Sequence, residues 1–334
     1  MEAVRDVLNR PLRDLRISLT DRCNFRCRYC MPREIFGPGY AFLPAEEILT
    51  AEEILRTVGI LQDLGVRKVR LTGGEPLLRR DILTIVEGLS KLGLDEIALT
   101  TNGALLPRLA TALKEKGLTR VTVSLDALDD ETFRKINGVG YPVKKVLEAI
   151  EAADGAGLRP VKINAVIQRG VNEHAILDLA GYFRHTPHIV RFIEYMDVGT
   201  TNGWKPEDVV SAREIFEIIH QRWPLEPLPP RRPGEVARRF RYRDGAGEIG
   251  LIASVTQPFC RGCNRLRLSA DGQLFLCLFA SKGFPLKSLL RKGASDDEIR
   301  EALRRLWQAR DDRYSELRSL MPKMTRPEMH YLGG

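Results

Sequence analysis

Six cysteines, arranged in two groups of three, are the residues of this 334-residue chain best suited to bind metal. The spacing is C-x3-C-x2-C in the first triad (Cys23, Cys27 and Cys30) and C-x2-C-x13-C in the second triad (Cys260, Cys263 and Cys277). A 4Fe–4S cluster is normally held by four thiolates. Each triad therefore predicts a cluster with one iron open to a small molecule.

Zinc is the alternative for both triads. Structural zinc takes four protein ligands, and the first histidine of the chain is His174, far from the first triad. The second triad, taken alone, could also be half of a zinc ribbon. Arg265 and Arg267 alternate with leucines beside it, so both should point to one side of a strand and bind an anion. A solvated strand face is the alternative for this arginine pair.

The first triad follows the first of six predicted strands. These strand candidates cover residues 16–20, 68–74, 96–102, 120–127, 161–168 and 190–197. Helical patterns separate most of them, and the clearest begins at the capping box Thr50-Ala-Glu-Glu53. Repeated βα units imply a parallel sheet with right-handed crossovers, and six units fall short of the eight of a full barrel. We predict an α/β fold with a six-unit partial (β/α)6 TIM-type barrel over residues 1–223.

The alternation of strands and helices ends after Trp223. A proline-rich connector, PLEPLPPRRPGE, is followed by two segments in which Asp-Gly separates alternating runs, a signal for β-hairpins. Ser295-Asp-Asp-Glu298 then predicts the start of a last helix that runs to about Trp307. Residues 224–334 should form a smaller C-terminal α+β domain that carries the second cluster.

Cationic side chains alternate with apolar ones along several predicted strands. Arg16, Arg70 and Lys162 lie on the faces opposite to apolar residues that should meet the outer helices, and Arg191 is grouped with them. Barrel interiors are normally apolar, and unpaired buried cations are costly. We therefore predict a cationic lumen that binds an anion, the alternative being that these side chains reach solvent at the strand ends.

The first triad, with Tyr29 before its last cysteine, and Gly73-Gly-Glu-Pro76 resemble the radical S-adenosylmethionine (SAM) superfamily. Within it the chain resembles the MoaA family, the GTP 3′,8-cyclases of molybdenum-cofactor biosynthesis. The similar segments are LRDLRISLTDRCNFRCRYCMP, RLTGGEPLLRRD, RFIEYMDVG, PFCRGCNRLRLSADG and the terminal Gly-Gly. This resemblance implies two 4Fe–4S clusters, SAM as cofactor and GTP as substrate.

The resemblance also implies roles for individual residues. SAM would contact Tyr29, Gly74, Glu75, Ser124 and Met196. GTP would contact Arg16, Arg70, Thr101, Lys162, Arg191, Arg265 and Arg267. The residues assigned to catalysis are Gly333 and Gly334, whose tail enters the active site, together with Arg16, Arg265 and Arg267. In the implied reaction an adenosyl radical removes hydrogen from C3′ of GTP, C3′ then attacks C8 of guanine, and reduction gives the cyclised dihydro-GTP.

Composition limits the partners. The net charge of +8 and the pI near 9.2 suit a polyanion but are common in soluble proteins. Aromatic residues are only 7% and are not interleaved with basic clusters, so we expect no nucleic-acid partner. No apolar run is long enough to span a membrane, and the charged N-terminal segment does not resemble a signal peptide, so we expect a cytoplasmic protein.

The sequence also fits two rival functions. One is a radical SAM enzyme that acts on a peptide or RNA, and the other is a non-catalytic iron–sulfur electron carrier. The cyclase hypothesis further requires an electron donor and a downstream enzyme that takes the product. It leaves open whether the chain forms a homodimer.

Overall fold

A single mixed sheet runs through the computed structural model, which describes residues 3–318, 320 and 325–333. Its strands are β1 (Asp14–Ser18), β2 (Lys68–Thr72), β3 (Glu96–Thr101), β4 (Arg120–Ser124), β5 (Lys162–Ile167), β6 (Ile189–Glu194), β7 (Leu225–Leu228), β8 (Arg238–Tyr242), β9 (Glu248–Ile252), β10 (Arg265–Leu268), β11 (Gln273–Phe275) and β12 (Phe284–Pro285). They lie in the order β12-β11-β10-β1-β2-β3-β4-β5-β6-β9-β8-β7.

The helices are α1 (Ala51–Asp63), α2 (Ile82–Lys91), α3 (Leu106–Glu115), α4 (Asp130–Asn137), α5 (Val143–Gly155), α6 (Ala175–Phe183), α7 (Ala212–Arg222), α8 (Leu286–Arg291), α9 (Asp296–Gln308), α10 (Tyr314–Leu317) and α11 (Met329–Leu332). The predicted capping boxes are present at Thr50 and Ser295. In each, the hydroxyl of the capping residue accepts a hydrogen bond from the backbone N–H of the glutamate three residues later, and the side chain of that glutamate accepts one from the backbone N–H of the capping residue. Within the described ranges, no helix has the length and apolar character needed to cross a membrane.

Strands β1 to β6 are consecutive and parallel, as the six βα units predicted. The apolar residues of these strands, such as Leu15 and Ile17 of β1, are fully buried in the hydrophobic core that the helices also line. The predicted partial barrel and its α/β class are confirmed. The two predicted hairpins are also present, as the antiparallel pairs β8–β9 and β10–β11.

Strands from beyond residue 223 join both edges of the barrel sheet. Strand β10 pairs in parallel with β1, and β9 pairs in parallel with β6. Consequently the second triad lies at the N-terminal end of β10, with Cys260 and Cys263 before that strand and Cys277 after β11, whereas the first triad follows the C-terminal end of β1. The division at Trp223 remains a prediction about domains, because the sheet continues across it.

Candidate functional site

All six cysteines line one cavity of about 280 Å³, which is also bordered by the C-terminal ends of β2 to β6. None of them forms a disulfide. Among the described residues, no three Cys, His, Asp or Glu side chains converge closely enough to hold one metal ion. Six free thiols in two groups of three fit a pair of iron–sulfur clusters, since soft thiolates are the ligands such clusters take.

The loop that carries the first triad is fixed from several sides. The backbone N–H groups of Cys30 and Met31 both donate to the carbonyl of Cys27, at 2.9 and 2.8 Å, which turns the chain back on itself. Arg26 donates through Nη1 to the carbonyl of Cys23 at 2.7 Å. The side-chain amide of Asn102, after β3, lies 3.8 Å from the Cys23 sulfur. The thiols are therefore held at one rim of the barrel before any cluster binds.

Gly73 and Gly74 allow the loop after β2 to lie directly against this segment. A Cβ on Gly74 would come within 2.2 Å of the Arg22 carbonyl oxygen, and one on Gly73 within 2.5 Å of the Thr20 oxygen. Gly73 also has a φ of 132°, a conformation that favours glycine. Gly74 donates its backbone N–H to Thr20 at 2.8 Å. Both glycines are required for this close approach.

Glu75 is buried, and its carboxylate is directed at groups of the protein. It accepts from the Thr101 hydroxyl at 2.8 Å, from the Asn102 N–H at 2.8 Å and from the Leu77 N–H at 3.0 Å. Burial raises its pKa to about 7, although these three donors act in the opposite direction. Glu75 does not line the cavity, and its carboxylate is placed to hold Thr101 and Asn102 in position.

Tyr29 and Asp126 form a buried pair beside the first triad. The Tyr29 hydroxyl donates to Asp126 at 2.8 Å, and the backbone N–H of Val166 donates to the other carboxylate oxygen at 2.8 Å. Burial raises the pKa of Asp126 to about 6. Ser124 and Met196, predicted to contact SAM, line the same part of the cavity wall.

Arginines from neighbouring strands form a cationic wall of the same cavity. Arg16 of β1 is in register with Arg70 of β2 and with Arg267 of β10. Because adjacent strands are about 4.8 Å apart, this register stacks three guanidinium groups on one face of the sheet. Arg191 of β6 lies further along, and Arg70 and Arg191 both donate to the Thr122 hydroxyl, at 3.2 and 3.3 Å.

These cations lack anionic partners of their own. Within the described residues, no carboxylate forms an ion pair with Arg16, Arg70, Arg191, Arg265, Arg267 or Lys162. The Nε atoms of Arg16, Arg191 and Arg265 are buried without a hydrogen-bond partner. Burial and then the nearby guanidinium groups of Arg267 and Arg265 hold the pKa of Arg16 well below its ordinary value. An anion bound in the cavity would supply the missing partners.

Lys162 is buried but, unlike the other residues predicted to bind substrate, it is not part of the cavity lining. It opens β5, is 7% exposed and does not line the cavity. Burial, followed by repulsion from Arg191, Arg120 and Arg70, lowers its pKa to about 6. Lys162 therefore lies behind the arginine wall, at the N-terminal end of the barrel.

The second triad has a more cationic environment than the first. The Cys263 sulfur accepts from Nη2 of Arg265 at 3.2 Å and from Nη2 of Arg310 at 3.3 Å. Burial alone would raise the pKa of Cys263, but these two guanidinium groups outweigh it and lower the pKa to about 6. Burial raises the pKa of Cys277 to about 11, and raises that of Cys23 in the first triad to about 12.

The C-terminal tail docks at the mouth of the barrel. Nη1 of Arg267 donates to the Gly333 carbonyl at 2.8 Å, and the Tyr331 hydroxyl donates to Asp271 at 2.7 Å. Glu328, at the start of α11, accepts from the Thr200 N–H at 2.8 Å. Gly333 therefore contacts Arg267, a residue predicted to bind substrate, whereas Gly334 is outside the described residues.

Of the predicted site residues, the six cysteines and Arg16, Tyr29, Arg70, Gly74, Thr101, Ser124, Arg191, Met196, Arg265 and Arg267 line one cavity. Sequence reasoning did not single out Asn102, Asp126 or Arg310. The first two occur in strand-end segments of the kind that carry active sites in barrels. Arg310 follows α9 far from any motif, so no signal in the sequence pointed to it.

Sequence comparisons divide the chain between two families. The Radical SAM superfamily matches residues 17–183, and the family described as Molybdenum Cofactor Synthesis C matches residues 188–316. The chain is 57% identical to a GTP 3′,8-cyclase of Acidothermus cellulolyticus over 96% of this chain and 90% of that protein. It is 48% identical to the one of Xanthomonas axonopodis pv. citri over 99% of both chains, and 47% identical to that of Staphylococcus epidermidis over 100% and 99%.

A solved structure shares the fold. The crystal structure of SuiB of Streptococcus suis bound to S-adenosylmethionine superimposes with a TM-score of 0.62, covering 93% of this chain and 68% of that one. The two sequences are 17% identical, so the likeness concerns the arrangement of strands and helices alone.

Proposed function

The chain belongs to the GTP 3′,8-cyclase family of the radical SAM superfamily, and on that premise we propose that it converts GTP and SAM to 3′,8-cyclo-7,8-dihydro-GTP for molybdenum-cofactor biosynthesis. The observation that supports this most directly is a cavity that holds both cysteine triads and an arginine wall to which the described residues supply no carboxylate partner. A nucleoside triphosphate is an anion of the size and charge that such a wall requires.

The cofactors are two 4Fe–4S clusters and SAM. The first triad would hold one cluster and the second triad the other, each with three thiolates. When bound, the first cluster with SAM supplies the adenosyl radical that removes hydrogen from C3′, and the second cluster supplies an open iron for the guanine end of GTP. The protein itself has to hold the two reactants in line and neutralise the triphosphate.

The arginine wall binds and orients the triphosphate. Guanidinium groups make charge-assisted, often bidentate contacts with phosphate, and the buried, unpartnered Nε atoms of Arg16 and Arg191 have hydrogens to donate. Thr100 and Thr122 already hold Arg70 from the far side, at 2.9 and 3.2 Å. This pre-organisation lowers the entropy lost when GTP binds.

The opposite side of the cavity receives SAM. Tyr29, Gly74, Ser124 and Met196 line it, and the backbone carbonyls beside Gly74 are close because that residue has no side chain. Glu75 acts on this region through Thr101 and Asn102. We assign it to positioning, with direct contact to the SAM amino group left to Gly74 and its neighbours.

The C-terminal tail contributes to the part of the cavity that binds GTP. Arg267 is in register with Arg16 and also donates to Gly333, so tail docking fixes a guanidinium that faces the triphosphate. Closure by the tail would also exclude water from the site, where a carbon radical needs protection.

Two further partners follow from the reaction. Radical formation consumes one electron, so an external donor must reduce the first cluster, and an enzyme that accepts a cyclised purine nucleotide must take the product. We place the protein in the cytoplasm, where GTP and SAM are available. A homodimer is one assembly in which it could act.

The test is anaerobic reconstitution followed by incubation with SAM, dithionite and one nucleoside triphosphate at a time. Mass spectrometry would follow 5′-deoxyadenosine and any nucleotide with altered ring structure. The proposal requires cyclised product from GTP and not from ATP, CTP or UTP. Formation of 5′-deoxyadenosine with no cyclised nucleotide, or a chain that holds zinc in place of iron, would refute it.

A further inference from the structure

A buried ionic group of three residues lies against the second triad. Nε of Arg10 and, at 3.3 Å, Nη1 of Arg310 both donate to the same carboxylate oxygen of Asp6. The three side chains are at most 1% exposed. The carboxylate of Asp312, at the edge of this group, lies 4.0 Å from Nε of Arg310, so two carboxylates face the two guanidinium groups.

The two arginines hold the backbone of the second triad. Arg310 donates to the carbonyl of Cys263 at 2.8 Å and to that of Leu276, next to Cys277, at 3.0 Å. Arg10 donates to the carbonyl of Cys260 at 3.0 Å. Each cysteine of the triad is therefore fixed by a hydrogen bond at its own carbonyl or at that of its neighbour.

Arg310 also reaches a sulfur, and this distinguishes the second triad from the first. Its Nη2 lies 3.3 Å from the Cys263 sulfur. In the first triad, Arg26 donates to the carbonyl of Cys23 and not to its sulfur. Across the part of the chain that the structure describes, the sulfurs of the first triad accept hydrogen bonds from no guanidinium.

Hydrogen bonds and positive charge at cluster sulfurs raise the reduction potential. Reduction adds one electron to the cluster, and a guanidinium a few ångströms away stabilises the added negative charge, more so in a buried site than in water. Of the arginines in this group, Arg310 is the one whose guanidinium reaches a sulfur of the second triad.

We propose that Arg310, anchored by Asp6 and Arg10, is a positioning residue that holds the second triad for its cluster and raises the reduction potential of that cluster relative to the first. This rests on the proposed function, which assigns a 4Fe–4S cluster to the second triad. Arg10 serves the geometry alone, because it bonds a cysteine carbonyl and no cysteine sulfur.

The test compares anaerobically reconstituted full-length wild type with Arg310→Met, Arg310→Lys and Arg10→Met. Iron content and its loss to a chelator report on positioning. A redox titration followed by EPR reports the potential of each cluster, and the signal that changes on adding SAM identifies the first. Arg310→Met should lower the second potential and leave the first unchanged, and Arg310→Lys should recover most of the difference because it keeps the charge. Arg10→Met should lose iron faster from the second cluster at an almost unchanged potential.

An unchanged second potential in Arg310→Met, or equal shifts in both clusters, would overturn the proposal. If Arg310→Met retains no second cluster, Arg310→Lys decides. A second potential near the wild-type value with faster iron loss supports the role, because lysine keeps the charge but not both carbonyl hydrogen bonds of Arg310, and wild-type iron retention refutes it. A wild-type chain with a single cluster would instead refute the proposed function, so the two failures can be told apart.

Discussion

Gly333→Ala should slow cyclisation strongly while both clusters and SAM binding persist. Gly333 has a φ of 73°, and a Cβ there would lie 2.2 Å from Cγ2 of Thr72. Thr72 is 3% exposed, ends β2 and is β-branched, so its χ1 is restricted and the methyl group cannot easily turn away. The alanine tail must therefore leave its docked position or distort the end of the strand.

The magnitude follows from the backbone and the clash. A left-handed conformation costs a residue other than glycine about 1–3 kcal/mol, and about 2 kcal/mol corresponds to roughly a thirtyfold change in an equilibrium. The clash with Thr72 adds to this value. Undocking also removes the acceptor that Gly333 offers to Arg267 at 2.8 Å. We expect kcat/KM for GTP to fall roughly thirtyfold or more.

The assay is the rate of cyclised product by mass spectrometry, with the SAM-induced EPR change of the first cluster as the control for an intact radical site. Thr72→Ser removes the Cγ2 methyl. Combined with Gly333→Ala it should recover part of the lost rate, because the clash is relieved and the backbone cost remains. Thr72→Ser alone is the matched control. Wild-type turnover in Gly333→Ala would refute the docked tail as a part of the active site.

Other predictions concern the clusters and the cationic wall. Replacing the first triad with alanines should abolish SAM cleavage and leave half of the iron on the second triad, and complete loss of iron would contradict two independent sites. Arg265→Ala or Arg267→Ala should weaken GTP binding or turnover at least tenfold, since charge-assisted contacts are lost, while the SAM-induced EPR change survives. Unchanged GTP affinity and turnover in both variants would show that these arginines do not act on the substrate. The pKa of Lys162 is about 6 without ligand, and a bound triphosphate should raise it. GTP binding should therefore take up a proton above about pH 6. As a result, the affinity for GTP should fall as the pH rises. Lys162→Arg should flatten this slope in equilibrium binding relative to wild type, and identical slopes would contradict the assignment.

Local patterns were sufficient for the βα units and for the polar face of the barrel strands. Strand alternation placed Arg16 and Arg70 on one face, and the structure puts both in the cavity wall. The capping boxes at Thr50 and Ser295 start their helices as predicted. These features depend on neighbours within a few residues, so the sequence by itself determines them.

Glu75 illustrates what a motif cannot specify. The resemblance implied a contact between Glu75 and SAM, which stays a prediction, and the structure adds that the carboxylate accepts from Thr101, Asn102 and Leu77. Which donors surround a buried carboxylate depends on how the loops after β2 and β3 pack. That packing involves residues distant from Glu75 in sequence.

The sequence by itself determined two thiol triads, six βα units and a cationic strand face. Only the tertiary structure decided that the triads share one cavity, because this requires β9 and β10 to pair with opposite edges of the barrel sheet. It likewise decided that Asp6, Arg10 and Arg310 meet behind Cys263, across about 300 residues of chain. Such contacts are selected by long-range strand pairing and by the need to neutralise buried charge, which no local pattern encodes.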